Sequence, residues 1–184
     1  MHEEMRPKTA CIALISILAI LIICPCAYCQ MRWQNFVDSK GKFSIMMPGN
    51  PTKTFGPYEV PGLPPSAMIT FKTKDKNSVY LVIYVDYPSE FLKGLNLEEF
   101  YDNAREGGLS NVNGILRGEQ RIRLNKYIGR EILATTSLEK PNDTVIKNRI
   151  FLIKNRFYIL SITSLRGQAS VIDHNKFFNS FHFW

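Results

Sequence analysis

Val79-Tyr-Leu-Val-Ile-Tyr-Val85 is the stretch that decides the fold. It is seven residues of β-branched, aliphatic and aromatic side chains with no polar position. A half-buried strand alternates apolar with polar, so a run apolar on both sides predicts a strand inside the domain, with helices over both faces. Upstream, Asp75-Lys-Asn77 turns the chain, and Ser66 to Thr73 alternates Ala67, Ile69 and Phe71 against Met68, Thr70 and Lys72. That is the partner strand of an antiparallel pair. The stretch before it holds Pro51, Pro57, Pro61, Pro64 and Pro65 and reads as an extended edge or loop. Earlier still, Trp33–Phe36 and Phe43–Met47 are short strands. Asp38-Ser-Lys-Gly41 joins them, with the glycine in the slot that tolerates positive φ.

Downstream, Asn96 with Glu99 three residues later predicts a helix start. Leu97, Phe100, Tyr101 and Ala104 then share one helical face, and Gly107-Gly108 predicts the stop. Four further strands follow over 115–124, 128–136, 145–153 and 157–163. A tight hairpin at Lys154-Asn-Arg156 joins the last two, with Asn155 at positive φ. Ser170 with Asp173 opens a second helix, whose inner side carries Phe177, Phe178 and Phe181. The chain ends in Phe183-Trp184, and both rings are expected to pack on the sheet. Six to eight mostly antiparallel strands and two helices predict an α+β layered sandwich.

All four cysteines, Cys11, Cys24, Cys26 and Cys29, lie around one apolar run near the start of the chain. A charged opening, the apolar run and then small residues form the layout of an export signal. Residues 1–29 are expected to be a signal peptide, cut after Ala27-Tyr-Cys29, or a signal anchor that tethers the chain to a membrane through residues 11–29. The Cys26-Ala-Tyr-Cys29 spacing resembles a redox motif but ends an export signal rather than opening a helix. Residues 30–184 then form a single domain with no cysteine, which must fold on its core alone. Its 12 Phe, 8 Tyr and 2 Trp across the chain supply the volume. The net charge of +7 predicts attraction to anionic surfaces such as phospholipid head groups or acidic wall polymers.

Phe43-Ser-Ile-Met-Met-Pro-Gly-Asn-Pro-Thr52, Tyr127-Ile-Gly-Arg-Glu131, Asn155-Arg-Phe-Tyr158 and Phe177-Phe-Asn-Ser-Phe181 occur in the order and spacing of a known class. The chain resembles the PsbP-like (Mog/PsbP-type) fold, shared with a Ran-binding nuclear import factor. Within it the chain looks like small exported bacterial proteins, most without known activity. The resemblance implies an α/β/α sandwich with a central antiparallel sheet, and action by binding partners rather than catalysis. It carries over no catalytic, metal or cofactor residue.

The residues themselves offer few chemical groupings. His174 and His182 stand eight apart and cannot form an i, i+4 ligand pair. A zinc site is disfavoured without cysteine. Asp173 beside His174 lacks a nucleophile elbow, and adjacent helical side chains diverge. Glu98, Asp102 and Glu106 step by four along the first helix and read as its solvated outer face. Arg117, Arg121 and Arg123 are evenly spaced, which sets them on one outward strand face; Lys147 and Arg149 repeat the pattern. Nucleic acid is excluded by the compartment and by the absence of aromatics between the arginines. Arg130 is expected to pair with a carboxylate inside the sandwich. Asn142-Asp-Thr144 is a glycosylation sequon in a surface loop. The expectation is therefore an exported or membrane-tethered, non-enzymatic module binding a protein partner or an anionic envelope surface, with no cofactor. The alternative is an envelope hydrolase or ligand-binding enzyme whose site no motif announces.

Overall fold

The computed structural model describes residues 32–59, 65–136, 144–168 and 170–184. The export segment, its cysteine pair and Asn142 lie outside them. The described residues belong to one unit, Met31–Trp184. Its strands are β1 (Trp33–Asp38), β2 (Phe43–Pro48), β3 (Thr52–Tyr58), β4 (Ser66–Lys74), β5 (Ser78–Asp86), β6 (Gly114–Leu124), β7 (Tyr127–Thr136), β8 (Thr144–Ile153), β9 (Arg156–Leu165) and β10 (His182–Phe183). Helix α1 (Leu97–Ser110) follows β5, and α2 (Val171–Asn179) follows β9. Seven strands form one antiparallel sheet in the order β3-β4-β5-β9-β8-β7-β6, and β1-β2-β10 form a second. Among the described residues no helix is long and apolar enough to cross a membrane.

The expected mostly antiparallel sheet with two helices is present, but strand dominates and the layers differ. β5 does lie inside the large sheet, between β4 and β9. Its Tyr80, Val82 and Tyr84 are buried, facing the small sheet and α2 rather than a helix layer. There β2 contributes Phe43, Ile45 and Met47, all fully buried, and α2 with its following turn contributes Phe177, Phe178 and Phe181. A strand can serve as this cover because its period of two sends every second side chain to one face. Among the described residues the opposite face of the large sheet is covered by α1 and by Tyr87, Phe91, Leu92 and Leu95 of the segment before it. Phe100 and Tyr101 sit there on Ile132, Ile150 and Phe157. One 14-residue helix cannot roof seven strands, so Val79, Leu81 and Ile83 are only half-buried. Leu81 is therefore not a core residue, and its truncation would not carry a full cavity cost.

Both helix starts are as expected: Asn96 accepts from the amides of Glu98 and Glu99, and Ser170 from that of Asp173. The stop of α1 is not. The helix runs through Gly107-Gly108 to Ser110, because neither glycine takes the left-handed conformation that ends a helix; Asn113 does so instead, at φ 49°. In the β1–β2 turn the positive φ likewise falls on Lys42, at 52°. Gly41 serves closeness instead: a Cβ there would lie 2.7 Å from both Asp38 Oδ2 and the Phe43 ring, and its amide donates to that carboxylate. In the β8–β9 turn Lys154, not Asn155, has positive φ; the Asn155 side chain and carbonyl both bond the Tyr87 backbone. Phe183 packs on Tyr127, whereas Trp184 is half exposed.

Candidate functional site

Arg130 on β7 is buried and carries three carboxylates. Its Nη1 lies 2.6 Å from Asp102 Oδ1 and 2.7 Å from Glu119 Oε1, and its Nη2 lies 2.7 Å from Glu98 Oε2. Nη2 also donates to the Glu98 carbonyl, and the guanidinium lies 5.7 Å from the Tyr101 ring centroid. Arg105 bridges Asp102, Glu106 and Glu119, while Arg121 reaches Glu98 at 2.8 Å. The expected inward partner of Arg130 is thus three partners. The acidic stripe of α1 is correspondingly only partly solvated: Glu98 and Asp102, each about half exposed, are held by Arg130 of β7, while Glu106 stays exposed. Hydrogen bonds from Arg130 hold both carboxyls below the usual range. A general acid needs a raised pKa, so these groups are set as structural anions rather than proton donors.

The arginine row of β6 is not one face. The β6–β7 register slips between Leu116 and Gly118, so Arg117 occupies a bulge. Its Nε donates to Thr135 Oγ1 at 2.8 Å. Arg121, opposite Arg130, lies on the other face, so the bulge separates the pair. Nor do Lys147 and Arg149 extend the row: β8 is separated from β6 by β7. Both clamp buried Glu131, at 2.9 and 2.7 Å. Burial pushes the Glu131 carboxyl up, but Arg149 and Lys147 outweigh it and hold it low. Arg149 also stacks on Phe178 and donates to Asn179, tying α2 to the sheet.

His174 and His182 stand on different elements, α2 and β10. His174 Nε2 is 3.4 Å from Ser164 Oγ, which is 2.6 Å from Ser78 Oγ. Both serines are buried, and their hydroxyls bond each other. Burial, then Lys147, push the His174 pKa down. Asp173 contributes its amide to the Ser170 cap. Among the described residues no group of three or more His, Cys, Asp or Glu could hold a metal.

What the fold does assemble is a basic end. The register that sets Gly129 opposite Phe151 puts the Asn125-Lys126 turn beside the Lys154-Asn155 turn. The β1–β2 turn joins them: Arg156 Nη1 donates to the Lys40 carbonyl at 2.7 Å, and the Tyr158 hydroxyl to that of Gly41 at 2.6 Å. The Trp184 amide donates to the Lys42 carbonyl. Lys40, Lys42, Lys126 and Lys154 are exposed and form no salt bridge among the described residues, while Asp86 is neutralised by Arg156. Lys42, Lys154, Phe183 and Trp184 line a shallow recess there, and Trp184 is 51% exposed. Each lysine reads locally as an ordinary turn residue, and three separate turns had to converge before a cluster existed.

No family model matches the chain, and no curated protein does. Among solved structures, the fold is similar to cyanobacterial PsbP (CyanoP) from Synechocystis sp. PCC 6803, at TM-score 0.58 and 11% identity, covering 84% of this chain and 94% of that one. A Bacteroides thetaiotaomicron VPI-5482 protein matches at TM-score 0.49 and 11% identity, over 84% of this chain and 49% of that one. A Pseudomonas aeruginosa protein of unknown function, described as a putative regulator, matches at TM-score 0.42 and 8% identity, over 78% and 88%. The first likeness shows a PsbP-like fold.

Proposed function

We propose that the domain works outside the cytoplasm as a non-enzymatic binding module whose basic end docks on an anionic envelope surface. The single observation that carries this reading is the meeting of the three turns that bear Lys40, Lys42, Lys126 and Lys154, with Lys42 and Lys154 beside an exposed Trp184. Tryptophan prefers the boundary between head groups and hydrocarbon. Each lysine near an anionic membrane contributes about 1 kcal/mol. Four give weak docking that a tether would complete by raising local concentration. The export-type layout of residues 1–29 supplies either the route across the membrane or that tether. A reporter enzyme active only after export, fused behind Trp184, is expected to be active; activity of a cytoplasmic reporter alone would remove the compartment from this reading.

The docking itself is tested with the unit Met31–Trp184 and vesicles containing phosphatidylglycerol. Wild type is expected to co-sediment at low salt and to be released as the screening length shrinks from about 30 Å at 0.01 M to about 8 Å at 0.15 M. Combined Lys42→Glu, Lys126→Glu and Lys154→Glu should abolish co-sedimentation while leaving stability within about 1 kcal/mol, since all three side chains are exposed. Arg117→Gln with Arg121→Gln should bind like wild type. A wild-type unit that ignores anionic vesicles at low salt would leave only a protein partner.

A further inference from the structure

Between the C-terminal half of α1 and the open face of the large sheet lies a cavity of about 180 Å³. Leu109 of α1 and Ile132, Ile146 and Ile159 of the sheet form its apolar walls. Gly108 borders it as well, and a Cβ there would meet nothing within 4 Å. Arg105, Ser161 and Thr163 also border it, and a fourth polar residue stands out. Asn148 of β8 stands between Ile132 of β7 and Ser161 of β9 in the sheet register. Its Oδ1 is buried and has no hydrogen-bond partner among the described residues. An unpaired buried acceptor is costly, and leucine, with the same branching, would avoid that cost. Most buried polar atoms are satisfied, so this exception calls for a partner from outside the chain.

We infer that this cavity is a binding site for a small, mostly apolar molecule, or the apolar end of a larger one, that presents a single hydrogen-bond donor to Asn148 Oδ1. The walls set the mostly apolar class, and the one buried oxygen without a partner among the described residues sets the donor. An apolar cavity of about 150 Å³ accepts benzene, so the space here suits a ring of that size with one substituent. The site lies on the α1 face of the large sheet and does not depend on the docking of the basic end.

Phenol and toluene are the probes: nearly the same shape, one with a donor. They are titrated into the unit Met31–Trp184, whose two core clusters contain no residue before Trp33, with cooperative melting checked first. Phenol is expected to bind saturably in the millimolar range or tighter and to shift the methyl resonances of Ile132 and Ile146. Asn148→Leu is expected to lower the phenol-to-toluene affinity ratio about tenfold, near what one hydrogen bond to an otherwise unpaired buried acceptor is worth. It should also raise the melting temperature of the empty domain. No saturable phenol binding, shifts confined to methyls away from the cavity, or an unchanged ratio in Asn148→Leu would each overturn the site. The wild-type titration decides the matter even if the variant fails to fold.

Discussion

Phe43→Ala is expected to cost the domain about 3–5 kcal/mol, the range for deleting a buried aromatic ring from a well-packed site. Phe43 is fully buried, and its ring lies within 5.7–6.4 Å of those of Phe71, Tyr84, Tyr158 and Phe181. Three of these belong to the large sheet and one to the turn after α2, so this one ring joins the two sheets and the tail of the chain. The void could not close easily, because β2 is hydrogen-bonded on both edges, to β1 and to β10. Urea unfolding followed by fluorescence would measure the loss. Phe55→Ala is the control: that ring is 71% exposed on edge strand β3, and its removal should stay within about 0.5 kcal/mol. A cost near 1 kcal/mol or less at Phe43 would mean that the small sheet does not share the core.

Arg130→Met should be the second largest loss, about 3 kcal/mol. Removing one partner from a buried charge network costs roughly 3–5 kcal/mol when the remaining charges stay dry. Here Glu98 and Asp102 are about half exposed and can rehydrate, while Arg105 and Arg121 remain to hold them, so the lower end applies. Methionine keeps most of the stem volume, which isolates the charge effect. Arg130→Lys should fall between, since a point charge cannot replace a fork that meets three carboxylates at once. The same network fixes a pH dependence. Glu98 and Asp102 titrate lower folded than unfolded, because Arg130 bonds their ionised forms. Their contribution is therefore complete above the unfolded carboxylate range, about pH 4. It is lost as pH falls below that range through the folded values. Arg130→Met should flatten this acid limb of the stability curve. An acid limb as steep as that of wild type would show that the carboxylates draw their stabilisation from elsewhere.

Much of the local structure is written in the sequence. Alternation at Phe43, Ile45 and Met47 marks the buried side of β2, and the same period marks β4. Asn96 and Ser170 cap their helices as their side-chain chemistry requires, and the aromatic face of α2 is the buried one. These signals span a few residues, because strand period, helix period and capping act between near neighbours in the chain. Arg130 is a partial case: a lone arginine in an apolar strand announces a carboxylate partner but not that two would come from α1 and one from β6.

What only tertiary structure decided is which surfaces meet. Whether the second face of β5 would be covered by a helix or by a strand layer cannot be read from β5 itself, because both supply apolar side chains to the same kind of surface. The acidic steps of α1 look solvated until the helix is laid on the sheet, where Arg105, Arg121 and Arg130 take them up. The arginine row of β6 looks continuous until pairing with β7 inserts a bulge at Arg117 and sends that side chain to the opposite face. The four turn lysines form a group because three hairpins end at one side of the domain, and Asn148 meets the cavity only because α1 is laid over β8. Register, bulges and coverage are set by the sum of contacts among segments far apart in the chain, and no window of a few residues contains that sum.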